Sequence, residues 1–317
     1  MVGRALRVVF FGTPQFAVPT LEHLAASRHE VRGVVTQPDR ARGRGQRVVP
    51  APVKDFSVRH GIPLIQPERL RDPSVEATLR SWEPDLGVVA AYGRIIPPVL
   101  LAVPLHGMIN VHASLLPKYR GAAPVQRAVI AGETETGVTI MRVAEALDTG
   151  DMFAHATRPI GPDEKSETIE HDLADRGARL LVDVVDAIAA GSAHSEPQDD
   201  ARSTYAPRLT REEGLIDWSL PATDIHNRVR GLSPWPHAYS HLDGQRLILT
   251  ATQVAADRSD ESPGTIVRIL PDRLLVATGQ GGQIAIREVQ PEGRRAMAVR
   301  DYLAGHPITP GARFGNR

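Results

Sequence analysis

Residues 107–124 read "GMINVHASLLPKYRGAAP". The stretch starts as an apolar strand, carries Asn110 and His112 at alternate positions, and then runs into a basic loop rich in Gly and Pro. Side chains two apart on a strand share a face, so Asn110 and His112 point one way and Val111 the other. Two polar groups near a strand's carboxyl end suit an open α/β sheet, where ligands bind in the crevice beyond the strand ends.

The flanking sequence supports such a sheet. From residue 6 to about 191, short β-branched runs alternate with helix-period segments, which predicts a Rossmann-like parallel sheet covered by crossover helices. "LRVVFFG", "VRGVVT", "DLGVVAAYG" and "TGVTIMRV" read as further strands. A helix of roughly 14 residues is expected from Pro14, a first-turn proline. "SETIEHDLADRGARLLVDVVDAIAAG" closes the region as a long amphipathic helix, with Ser166 as N-cap and Gly191 as stop. Residues 192–207 lack periodicity and read as a linker. Residues 208–317 hold one helical stretch, "PATDIHNRVRGL", and then "RLILTATQVA", "GTIVRIL", "RLLVATG" and "QIAIREVQ", short strands broken at turn-like spacing. They predict a small β-barrel.

The 317 residues exceed one ordinary core, consistent with two domains. Basic and acidic residues both number 37, so any basic function has to be a local patch. The absence of cysteine excludes disulfides, thiolate nucleophiles and Cys-based metal sites. No segment reaches the roughly 18 consecutive apolar residues of a membrane span, and the start is too short an apolar run for a signal peptide. A soluble, cytoplasmic, monomeric protein is expected.

"FFGTPQF", residues 10–16, sits at a strand-to-helix junction, but Pro14 and Phe16 stand where a dinucleotide fingerprint needs glycine. NAD binding is disfavoured; a structural turn or a floor for another substrate remains. At the crevice, an amide and an imidazole suit attack on a carbonyl, with Asn110 holding an oxyanion and His112 moving a proton. Asp148, in "EALDTGD", follows the next strand and can reach the same edge to orient His112 or accept a proton. Taken singly, each has a plain structural use; their convergence favours chemistry. Pro117, Pro124 and Gly121 stiffen the following loop, and Leu115 with Leu116 offers an apolar wall for a planar ligand.

"INVHASLLPKYRGAAP" together with "GVTIMRVAEALDTGDM" resembles the folate-dependent formyltransferases. The resemblance implies that Asn110, His112 and Asp148 are catalytic and that 10-formyltetrahydrofolate is the donor co-substrate, with no metal. It also implies a pterin site lined by Ser114, Leu115, Leu116 and Pro117 and by Ala90, Ala91, Tyr92, Gly93, Ile95 and Ile96.

The acceptor has its own signal. "TQPDRARGRGQRVVPAPVK", residues 36–54, reads as a long irregular loop with Arg40, Arg42, Arg44, Arg47 and Lys54 against the single acid Asp39. Loops of this length between βα elements tend to be functional, and a mobile basic loop suits a phosphate backbone. By resemblance, "QPDRxxGRG" matches the insertion loop of the family branch that formylates initiator methionyl-tRNA, where it reaches the acceptor stem. "RLTREEGLIDWS" and "GLSPWPHAYS" resemble the start of that branch's carboxyl-terminal domain, a barrel of the oligonucleotide-binding type. The expected organisation is a formyltransferase domain over 1–191, a linker over 192–207 and a tRNA-binding barrel over 208–317. That last region carries 14 basic and 12 acidic residues, so it is no generic basic binder. Arg208, Arg211, Arg246, Arg294 and Arg295 are its weaker contact candidates, and Trp218, Trp235 and Tyr239 are expected in a core or interface. Formyl transfer to a small amine, a glycinamide ribonucleotide or an amino sugar, is the alternative, and a non-catalytic RNA-binding protein is the rival from another class.

Overall fold

The structure is a computed structural model that describes residues 4–42 and 47–315, with the backbone alone described at 40–42, 47 and 48. The chain runs β1 (Arg7–Gly12), α1 (Val18–Ala26), β2 (Glu30–Val35), β3 (Arg40–Arg42), β4 (Arg47–Val49), α2 (Pro52–Arg59), β5 (Leu64–Ile65), α3 (Pro73–Ser81) and β6 (Leu86–Ala90). It continues through α4 (Pro98–Leu101), β7 (Met108–His112), β8 (Arg120–Gly121), α5 (Pro124–Ile130), β9 (Glu135–Arg142), β10 (Met152–Pro159) and α6 (Ser166–Ala190).

A seven-stranded sheet has the order β10-β9-β7-β6-β1-β2-β5. Val8, Val9, Phe10 and Phe11 of β1 are all fully buried, which is why the strand reads as a continuous apolar run: both faces are covered. β1 pairs in parallel with β2 on one side and with β6 on the other. The chain builds outward from β1 to β2 and β5, then returns to β6 on the opposite side. That reversal is the topological switch point, where the carboxyl ends of β1 and β6 open a crevice.

Three local differences from expectation have physical reasons. β9 pairs antiparallel to β7, with Ile109 opposite Arg142 and His112 opposite Thr139, a direction that strand periodicity cannot encode. The helix expected at Pro14 begins as a single 3-10 turn, Gln15–Ala17, before α1. Ser166 is the first residue of α6 and not its cap; its hydroxyl lies 3.0 Å from the Gly231 carbonyl and 2.5 Å from that of Ser233. At the other end Gly191, at φ +70°, closes the helix as expected. Its N–H bonds the Ile188 carbonyl and the Ser192 N–H that of Ala187, the double bond of a Schellman stop.

Contacts group the chain into two compact units. The first comprises Met1–Pro124, Thr136–Arg158 and Glu170–Ala206; the second comprises Val125–Glu135, Pro159–Ile169 and Pro207–Arg317. The expected linker thus departs from a free spacer: its residues up to Ala206 group with the first unit, and it contains β11 (Tyr205–Ala206), which pairs with β8.

The second unit contains α7 (Ala222–Gly231), β12 (Ala238–Leu242), β13 (Gln245–Ala255), β14 (Ile266–Leu270), β15 (Arg273–Ala277), β16 (Gln283–Pro291), β17 (Met297–Ala298) and α8 (Val299–Gly305). Its antiparallel sheet runs β12-β13-β16-β15-β14. Residues 312–315 bond to both outer strands, through Ile266 N–H to Ala312 on one side and reciprocal His241–Gly315 bonds on the other. This closes the barrel and removes its edges. Trp218 is core as expected, stacked on Phe314 at 5.1 Å, whereas Trp235 is 49% exposed and Tyr239 is half-buried beneath the Arg246 guanidinium. Among the described residues no helix is long and apolar enough to cross a membrane.

Candidate active site

β7 lies between β6 and β9, and its pleat sorts its side chains. Val111 is buried on the face where Gly177 of α6 approaches so closely that an added Cβ would meet it. Asn110 and His112 take the opposite face. Asn110 is half-buried, and among the described residues its amide has no hydrogen-bond partner.

His112 is buried, with Nε2 3.0 Å from the Tyr119 carbonyl oxygen. A carbonyl only accepts, so Nε2 carries the proton and Nδ1 is the nitrogen left for chemistry. Nδ1 faces Asp148, whose Oδ2 stands 3.7 Å away. The same Oδ2 accepts the Gly121 N–H at 2.9 Å, which fixes the carboxylate from its other side. Because β9 is antiparallel, its end at Arg142 lies beside Ile109, away from the strand's carboxyl end, and the following loop turns back to deliver Asp148. Asp148 does so at φ +52° and Tyr119 sits at φ +60°, conformations that non-glycine residues seldom hold. Such strain tends to gather at functional sites.

The loop after His112 is tied to β9. Thr139 donates its hydroxyl to the Ser114 carbonyl at 2.7 Å and accepts the Leu116 N–H at 3.2 Å. Ser114 is fully buried and spends its own hydroxyl on the Lys118 carbonyl at 2.6 Å. Leu116 is buried, Leu115 and Pro117 are half-buried, and the Leu116–Pro117 bond is cis. Of this group, therefore, Leu115 and Pro117 keep side-chain surface for a ligand, and Ser114 does not.

The "AAYG" run divides in the same way. Ala90 is buried at the end of β6; Ala91, at φ +44°, and Gly93 are exposed. Ile95 is 82% exposed, so its side chain is open to a ligand. The side chains of Tyr92 and Ile96 turn inward to a core cluster with Phe11, Val35 and Leu100. Tyr92 packs edge-on to Phe11 at 5.4 Å, and burial pushes its hydroxyl up to about 12. The junctions after β1, β2 and β6 are stitched together here: the Tyr92 carbonyl accepts Gln37 Nε2 at 2.6 Å and the Thr13 hydroxyl at 3.4 Å. "FFGTPQF" accordingly contributes Thr13 to the hydrogen bonds that join these junctions.

The basic segment after β2 is a short antiparallel hairpin, with Arg40 opposite Val49 and Arg42 opposite Arg47, in place of the irregular loop expected. Arg44 lies outside the described residues. Lys54 pairs with Asp39, Nζ to Oδ2 at 2.5 Å, and Gln66 donates to the other Asp39 oxygen at 2.8 Å. Those two hydrogen bonds, with the lysine charge, hold the Asp39 carboxyl below the usual range.

Sequence reasoning missed the groups that hold the trio in place. Tyr119 and Gly121 act through backbone atoms, Thr139 lies in the motif that ends at Asp148 but has no catalytic letter of its own, and Gln198 and Thr204 sit in a segment with no catalytic motif. Among the described residues no cluster of three or more His, Asp or Glu side chains is placed to bind a metal ion. A surface cavity of about 810 Å³ is lined by residues that include Trp218, Pro263, Arg313 and Phe314 and by none of the trio.

Comparison with known proteins identifies the family. A family profile described as formyl transferase matches residues 6–185, and one described as formyl transferase, C-terminal domain, matches 208–307. The methionyl-tRNA formyltransferase of Geobacter metallireducens is 47% identical, covering 98% of this chain and 99% of its own length. That of Halalkalibacterium halodurans is 43% identical over 98% and 99%. Among solved structures, the sugar 3N-formyl transferase WlaRD, determined in the presence of 5-N-formyl-THF, matches with TM-score 0.66 at 16% identity, covering 92% of this chain and all of that one. HypX from Aquifex aeolicus, in complex with tetrahydrofolic acid, matches with TM-score 0.65 at 15% identity, over 99% of this chain and 51% of that one. These two show a shared fold. The matches over both segments and over nearly the full length place the chain in the formyl transferase family, among the methionyl-tRNA formyltransferases.

Proposed function

We propose that this chain transfers the formyl group of 10-formyltetrahydrofolate to the α-amino group of initiator methionyl-tRNA, giving N-formylmethionyl-tRNA. The observation that carries the chemistry is the polarity of His112: with Nε2 spent on Tyr119, its Nδ1 faces both Asp148 and the crevice beside the open amide of Asn110. The acceptor follows from likeness to methionyl-tRNA formyltransferases along almost the whole chain.

In this mechanism the methionine α-amine attacks the formyl carbon. Such amines titrate near pKa 7.7 in model compounds, so a neutral fraction is present at neutral pH. The new C–N bond leaves a tetrahedral oxyanion, which receives N–H donors from Asn110 and from His112 Nδ1 in its protonated form. Asp148, directly or through water, accepts the amine proton, and the bond from the formyl carbon to N10 breaks as a proton passes to N10. Holding two substrates in register supplies most of the acceleration. Neither a metal nor a covalent enzyme intermediate is invoked.

The folate lies in the crevice against the backbone of Ala90–Gly93, Ile96 and Ser114–Pro117, with the exposed Ile95 and half-buried Leu115 and Pro117 as side-chain contacts. Arg40, Arg42, Arg44, Arg47 and Lys54 meet tRNA phosphates. Residues 1–191 act as the catalytic domain and the 208–317 barrel as the tRNA-binding domain, in a cytoplasmic monomer. The test mixes the protein with 10-formyltetrahydrofolate and methionine-charged initiator tRNA, with charged elongator tRNA in parallel. Formylation of the initiator alone is expected. Folate binding without formylation of either tRNA overturns the acceptor and points to a small amine, and failure to bind folate overturns the reaction.

A further inference from the structure

The polar segment 196–206 looks like a spacer, yet its side chains end on the backbone that holds His112 and Asp148. Gln198 donates Nε2 to the carbonyls of Asp148, at 2.9 Å, and Gly150, at 2.8 Å. Its Oε1 accepts Arg120 Nε at 3.0 Å and Nη2 at 2.8 Å. Chemistry fixes this orientation: a guanidinium only donates and the two carbonyls only accept, so the amide cannot be flipped. The residue after Arg120 is Gly121, whose N–H holds the Asp148 carboxylate. A ring of contacts thus runs from the Asp148 carboxylate through Gly121, Arg120 and Gln198 back to the Asp148 carbonyl.

Thr204 makes the matching contact on the His112 side. Its hydroxyl oxygen accepts the Tyr119 N–H at 2.8 Å, its carbonyl accepts the Arg120 N–H at 2.9 Å, and the Tyr119 carbonyl in turn holds His112 Nε2. β11 then pairs in parallel with β8, Tyr205 opposite Arg120 and Ala206 opposite Gly121. The two residues so anchored, Tyr119 and Asp148, both have positive φ, which persists only where neighbours over-determine it.

We infer that Gln198 and Thr204 are positioning residues for formyl transfer, and that the strap 196–206 sets the separation between His112 Nδ1 and the Asp148 carboxylate. This rests on the reaction proposed above. Gln198→Glu is isosteric and still accepts from Arg120, but it cannot donate to the two carbonyls; Thr204→Val removes the acceptor for the Tyr119 N–H. Each substitution is expected to lower kcat by about 10- to 100-fold, as a displacement of about 1 Å does, with KM for folate and for tRNA within about twofold. A general loss of fold would not produce that split.

The second readout is independent of turnover. Ring ¹⁵N resonances of His112, assigned by their loss in His112→Gln, are expected to show an Nε2–H tautomer in the wild type and to shift in both variants. Unmoved resonances, or an unchanged kcat in both variants, overturn the strap. Shifted resonances in a protein whose wild type transfers no formyl group would uphold the strap's hold on His112 and overturn the reaction instead.

Discussion

His112 donates a hydrogen bond from Nε2 to the carbonyl of Tyr119, 3.0 Å away, and so offers only Nδ1 to a substrate. With Asn110 open beside it, the site presents the Asn110 amide and, once Nδ1 has taken up a proton, the imidazolium N–H to a developing oxyanion. Asn110→Ala and His112→Ala are each expected to lower turnover by about 10²–10³, the loss typical of one such donor. Affinity for methionyl-tRNA should change little, because neither residue belongs to the basic hairpin. Single-turnover formylation with a parallel filter-binding assay separates the two quantities, and unchanged turnover removes the residue from the chemistry.

Asp148 has two duties that one substitution separates. Its Oδ2 accepts the Gly121 N–H, a duty that an asparagine carbonyl can keep, and it faces His112 Nδ1 as a carboxylate, which asparagine cannot do. Asp148→Asn should therefore leave the melting temperature near wild type while turnover falls by about 10²–10⁴, the range for a lost proton-transfer group. If turnover survives in Asp148→Asn and falls in Asp148→Ala, the residue serves the backbone alone.

The polarity of β7 was legible because period-two alternation announces itself in the letters Asn110 and His112. The direction of β9 was not, since parallel and antiparallel strands share that period. Asp148 was identified correctly as a neighbour of His112, although the route differs: a loop turns back from the far end of an antiparallel strand. Tyr119 and Gly121 act through a carbonyl and an N–H, which every residue possesses and no motif marks. Gln198 was read as linker because its partners lie 48 to 78 residues away in sequence, so local composition shows only its polarity. The basic hairpin was visible as charge but not as strand, because Gly43 and Gly45 interrupt any periodicity.

Tyr92 tests which atoms of the "AAYG" run matter. Among the described residues its buried hydroxyl has no hydrogen-bond partner, a state that costs roughly 1–3 kcal/mol for a polar group removed from water. Tyr92→Phe should be neutral or stabilising in urea unfolding, whereas Tyr92→Ala, which empties a core position beside Phe11, should cost about 3–5 kcal/mol. Turnover and the folate KM of Tyr92→Phe should match wild type, since the side chain points into the core. A raised folate KM would place the hydroxyl in the pterin site.

His29 gives the fold an acid-sensitive joint. Its Nδ1 accepts the Leu6 N–H at 3.1 Å, and Nε2 lies 3.1 Å from Asp186, so the neutral Nε2–H form fits both partners. Burial pulls the imidazole below its ordinary 6.5, opposed by the hydrogen bond and charge of Asp186 and aided by Arg28. With the folded value depressed, the unfolded chain takes up a proton first as pH falls through 6.5, so this contribution to stability is present above 6.5 and declines toward the folded value. Urea midpoints should drop between about pH 7.5 and 5.5, and the drop should be shallower in His29→Gln. Parallel pH profiles would show that His29 contributes nothing to it.

Lys54 and the hairpin arginines should differ in how they feel salt. Lys54 is already neutralised by Asp39, which Gln66 holds in place, so its charge is partly answered before any phosphate arrives. Each cation that meets a phosphate adds roughly 0.7–0.9 to the slope of log affinity against log salt. Arg42→Ala and Arg44→Ala are each expected to reduce the slope of tRNA binding by about that amount, and Lys54→Ala by distinctly less. Affinities measured across about 50–200 mM salt decide the matter. Equal losses for all three would mean that tRNA strips Lys54 from Asp39, and unchanged slopes for the two arginines would take the hairpin off the phosphate backbone.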